Sequence, residues 1–119
     1  MNSDNILSLV GFNANVQLAH WQADTKTNTH EALGKLYEGM VALTDDLAEI
    51  SLGKNGNREF QIHQIVLTPN TDLSGLIQLG LSILEDIRAE LKVGIDDDLL
   101  NIVADMSAII NKTKYLLEL

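Results

Sequence analysis

Apolar residues recur along this chain at three- and four-residue steps in four stretches, and polar segments separate the stretches. That spacing predicts four amphipathic helices. The first is expected from about Asp4 to Ala23, with Ser3 as its N-cap; Ile6, Leu9, Val10 and Val16, with Leu7, Ala14 and Trp21, carry its pattern. The turn "DTKTN" follows, and Thr27 is placed to cap a second helix from about Asn28 to Leu52. There Leu33, Leu36, Met40, Leu43, Leu47 and Ile50 form a bundle seam. "GKNGN" ends it with two glycines and two asparagines. A third helix is expected from about Thr71 to Val93, stopping at Gly94, with Leu73, Leu76, Ile77, Ile83, Leu84, Ile87 and Leu91 inward. The fourth runs from about Asp97 to Leu117, on Leu99, Ile102, Val103, Met106, Ile109, Ile110 and Leu116, and opens with the acidic first turn that a helix dipole favours.

The connections set the topology. Short turns join the first helix to the second and the third to the fourth, so each pair should be antiparallel. Between them lies a crossover of roughly 18 residues that carries Pro69 and His63 and has room for a short helix. The expectation is an all-α, ferritin-like four-helix bundle with one long crossover, forming a single domain over residues 1–119.

Composition narrows the setting. No apolar run reaches the roughly 18 residues that cross a bilayer, so no membrane association is expected. The opening "MNSDNILSLV" lacks the basic stretch of a secretory signal. The absence of cysteine rules out disulfides and thiolate metal sites, and fits a cytoplasmic protein. Eight basic residues against 17 acidic ones give a net charge of −9, so DNA binding through phosphate contacts is not expected, whereas cations should be attracted.

Candidate chemistry is concentrated in "AHWQADTKTNTHEALGKLYEGMVALTDDLAE". On a helical projection of the second helix, His30, Gly34, Val41, Asp45 and Ala48 share a flank roughly 100 to 160° from the centre of the core stripe, with Glu49 just beyond it. His20, near the end of the first helix, and His30, near the start of the second, belong to the same end of the hairpin. His30 and Asp45 are 15 positions apart, about 22 Å along one helix, so they cannot share an ion within one chain. Two copies packed antiparallel about a two-fold axis would bring His20 and His30 of one near Asp45 and Glu49 of the other. Two imidazoles and two carboxylates suit iron, or zinc as a substitute. No ExxH pair points to a di-iron site within the bundle, and no phosphate loop or nucleophile pattern is present. Trp21 would ordinarily be a core residue, His63 a surface residue.

These residues resemble the signature of the Dps family of mini-ferritins. That signature has a His-Trp pair near the end of the first helix, a His-Glu pair early in the second, and an Asp and a Glu four residues apart further along. His20, His30, Asp45 and Glu49 match it, with Tyr37 and Glu38 in family-like places; the match is specific over about residues 13 to 52. The resemblance implies ferroxidase ligands across a dimer interface, Trp21 as a redox-active ring beside them, and a homo-oligomer extending to a dodecameric shell. Three departures stand out. The turn between the histidines is about two residues shorter than is usual in the family. Gly34 stands where the family has a further acid. The basic tail many relatives use on DNA is absent.

Two functions follow as expectations. One is a Dps-like ferroxidase and iron-binding protein. The other is a ferritin-like structural or binding protein with one weak metal site and no storage, the reading Gly34 favours. On the first, an aspartate at position 34 should restore a second ion position.

Overall fold

The computed structural model of the protein describes residues 1, 3–61, 64–68 and 72–119. Its four helices are α1 (Ser3–Gln22), α2 (Asn28–Asn55), α3 (Leu73–Glu90) and α4 (Asp97–Leu116). α1 packs on α2 and α3, and α4 packs on α2 and α3, so α1 and α4 are diagonal, as are α2 and α3. Contacts at the ends give the directions. His20 meets His30, Asn28 reaches the carbonyl of Leu116, and Lys54 reaches Asp98. One crossover between α2 and α3 thus lets every neighbouring pair run antiparallel, and the expected four-helix bundle is what forms.

The core is the intersection of the four apolar stripes. Leu9, Phe12, Val16, Leu33, Leu36, Met40, Leu47, Leu84, Ile87, Val103, Met106 and Ile110 are almost wholly buried. Phe12, absent from the expected stripe, is among the largest of them, and burying such a side chain contributes about 1.5–3 kcal/mol. Its ring lies against Gly80 of α3, where a Cβ would come within 2.6 Å of Cζ; this glycine lets the two helices approach. Trp21 and Val10 are exposed instead, because the buried face of α1 runs through Ile6, Leu9, Phe12, Asn13, Val16 and Ala19.

Local chemistry moves two boundaries. α2 continues three residues past Leu52, through Gly53, and stops at Gly56, whose N–H still donates to the Leu52 carbonyl and whose φ of 71° turns the following chain out of the helix. α3 ends at Glu90, before the expected Val93, because the next residues bond forward. The Lys92 N–H donates to Asp96 and the Gly94 N–H to Asp97, folding a tight turn into α4. The described parts of the crossover contain no helix. Residues 64–68 are held to α1 by Asn15, whose amide donates to the Val66 carbonyl at 3.1 Å and accepts from the Thr68 N–H at 3.0 Å. His63 and Pro69 lie outside the described residues. No described helix is long and apolar enough to cross a membrane.

Candidate metal centre

The turn between α1 and α2 is built by Asp24. Its carboxylate accepts from the Lys26 N–H, and its carbonyl accepts from the Thr27 N–H and hydroxyl. Thr27 in turn caps α2 by accepting from the His30 N–H at 3.3 Å. The last turn of α1 and the first turn of α2 therefore face one another, with a histidine on each.

The two imidazoles are stacked, with ring centroids 3.9 Å apart and planes 22° from parallel. Their hydrogen bonds are reciprocal: His20 Nδ1 lies 2.6 Å from the His30 carbonyl oxygen, and His30 Nδ1 lies 2.8 Å from that of His20. A carbonyl oxygen only accepts, so both Nδ1 atoms carry the proton and donate. In the neutral rings Nε2 then holds the lone pair, and neither Nε2 has a hydrogen-bond partner among the described residues. A backbone carbonyl on one ring nitrogen with the other free is the arrangement metal-ligating histidines adopt. Both rings are half-buried.

Gly34 lies beneath this pair. A Cβ on it would stand 2.8 Å from His20 Cε1 and 3.1 Å from Nδ1, so the His20 ring occupies the space a side chain would need. An aspartate at 34 would therefore have to displace the His20 ring from its present place.

The structure brings together His20 and His30, and leaves Asp45 and Glu49 apart from them. Both acids are exposed on α2, which is unbroken from Asn28 to Asn55, so Asp45 stays about 22 Å from His30 along the helix. Among the described residues, no three His, Asp or Glu side chains gather where they could hold an ion. One chain thus offers two nitrogen donors at one place and a carboxylate pair, one helical turn apart, at another. Between the two runs an open groove lined by Val10 and Ala14 of α1 and Tyr37, Val41, Asp45 and Ala48 of α2. Trp21 stands 66% exposed beside His20, and its place in a core is overturned.

One residue of this region carried no apolar signal. Asn13, buried at a core position of α1, donates from Nδ2 to Thr44 Oγ1 at 3.0 Å, and the threonine hydroxyl donates to the Met40 carbonyl at 2.6 Å. Asn13 Oδ1 is buried with no partner among the described residues. The sequence signal was an asparagine in register with the buried stripe Leu9–Phe12–Val16.

These features define a class: an all-α four-helix bundle with one long crossover and a stacked histidine pair closing its first hairpin. Within that class, residues 20–117 match a family of unknown function, DUF5856, and the chain belongs to that family. No curated protein and no solved structure matches the chain.

Proposed function

We propose that the protein is a Dps-like iron-binding bundle whose metal site forms between two copies of the chain. The observation that carries this reading is the reciprocal bonding of His20 and His30, which fixes both rings in the tautomer that presents Nε2 as a donor. In the site, His20 and His30 of one copy and Asp45 and Glu49 of the other take ferrous iron as substrate, with zinc as a substitute. Each ferrous ion gives up one electron. Two such electrons and two protons reduce one peroxide to two waters, and dioxygen is the other candidate oxidant. Trp21 is a redox-active ring beside the site. The groove of Val10, Ala14, Val41 and Ala48 is the face on which the second copy packs, about a two-fold axis that aligns histidines with acids. Ferric product collects in a cavity only where a closed shell forms. A cytoplasmic setting and no contact with DNA complete the reading.

A second reading rests on Gly34. With the acid position taken up by His20, the protein is a helical bundle with a structural or binding role, one weak ion and no storage.

One experiment separates the two. Apoprotein is titrated anaerobically with ferrous iron in a calorimeter, then given peroxide while the ferric absorption band is followed and the assembly is sedimented. Tight uptake, a ferric band and a particle larger than a dimer support the ferroxidase. Weak uptake with no band supports the second reading, and no uptake at all removes both metal assignments.

A further inference from the structure

We infer that Gly34 is the positioning residue of the histidine pair: the missing side chain lets the His20 ring lie on α2, stack on His30 and reach its carbonyl. The function of the pair as a metal site rests on the reading above; the role of Gly34 in building it does not.

The geometry is specific. A Cβ at position 34 would come within 2.8 Å of His20 Cε1, closer than side-chain carbons are found to approach. The ring is the mobile end of its side chain, so the ring shifts and the helix stays. The shift removes the Nδ1–H bond to the His30 carbonyl, now 2.6 Å long, and parts the rings from their 3.9 Å stacking. His30 loses its neighbour in the same step. The Nε2 donor of His20 is therefore set by one absent methyl group, while His30 keeps its own Nδ1–H bond to the His20 backbone carbonyl. Gly11 of α1 and Gly53 of α2 differ: a Cβ on either meets nothing within 4 Å. An alanine there leaves the fold free to gain from better helix propensity.

The test uses the full chain with 15N-labelled histidine, at a pH about two units above the ordinary imidazole pKa. Ring 15N resonances report which nitrogen carries the proton. In the wild type, His20 and His30 should both be protonated at Nδ1. Gly34→Ala should keep its helical circular dichroism and lose the Nδ1–H signature at His20, while Gly53→Ala should keep the wild-type pattern. Zinc alone is the binding probe, and Gly34→Ala should weaken it about tenfold or more, as loss of a ligand's orienting bond does. Placed in a His20→Ala background, Gly34→Ala should have no further effect on zinc. The inference is overturned if Gly34→Ala retains Nδ1–H at both rings, or if the glycine change weakens zinc equally with and without His20. A wild type that takes up no zinc overturns the metal reading, and the nitrogen signatures then decide the role of Gly34 unaided.

Discussion

The two ends of α2 bear clusters of polar side chains that look alike in sequence and differ in what they leave unspent. At the C-terminal end, Lys54 Nζ donates to the Ile95 carbonyl and to Asp98, each at 2.8 Å, and pairs with Asp96 at 3.4 Å. A lysine has three donors and no acceptor, so this ammonium is used up tying α2 to the start of α4. At the N-terminal end each imidazole uses one nitrogen on a backbone carbonyl and keeps the other. A cluster that satisfies itself is a clasp. One that orients its groups and leaves a lone pair unused keeps a donor in reserve.

The largest effect should come from breaking the reserve. His30→Ala removes one Nε2 and the stacking partner of His20. Zinc or ferrous affinity should fall at least about 100-fold, which is about 2.7 kcal/mol. Lys54→Met should leave that affinity unchanged. Anaerobic calorimetry on both variants checks the pair. Equal losses would mean that metal uptake reports the integrity of the bundle rather than the histidines.

A smaller effect should come from Asn13, which lies between the two ends and matches neither. Its Nδ2 is spent on Thr44, and its Oδ1 is buried without a partner among the described residues. A buried orphan acceptor costs about 1–3 kcal/mol, and Asn13→Leu removes it without creating another, since Thr44 still donates to Met40. Urea unfolding at fixed protein concentration should show a gain of about 1 kcal/mol. A loss of that size would show that Oδ1 has a partner in solution, and the groove that Asn13 lines is where a second copy would supply it.

The helical period revealed the bundle because burial is repetitive: Leu33, Leu36, Met40 and Leu47 recur on one face, and the crossover length then left one topology. It missed Phe12 because the stripe drawn through Val10 was rotated away from the true inward face. Helix ends escaped it because they depend on single conformations, such as the left-handed Gly56, and on forward bonds, such as Lys92 to Asp96. Within the candidate site, His20 and His30 were legible as neighbours from the short turn alone. Their tautomers and stacking were not, since these depend on which carbonyl each ring meets. Gly34 read as a lost acid because a sequence shows what a residue lacks, whereas the structure shows what fills its place.

The smallest effect should be at the clasp, and pH sharpens it. The Lys54 hydrogen bond holds the Asp98 carboxyl below its ordinary value of 3.8. The Lys92 N–H, followed by Lys54, does the same for Asp96. Asp98 likewise holds Lys54 above its ordinary 10.5. A depressed carboxyl stabilises the fold above its ordinary value, and that contribution is lost as pH falls through the depressed one. A raised ammonium stabilises the fold below its ordinary value, and that contribution is lost as pH rises through the raised one. The clasp is therefore complete from about pH 4 to about pH 10. It is solvent-facing, so its contribution is small and falls with added salt. Lys54→Met should lower the thermal midpoint slightly at pH 7, with a difference from wild type that shrinks at about 1 M salt and below about pH 3. Midpoints that differ equally at pH 3 and pH 7 would show that the lysine acts by packing its chain between α2 and α4 rather than by its charge.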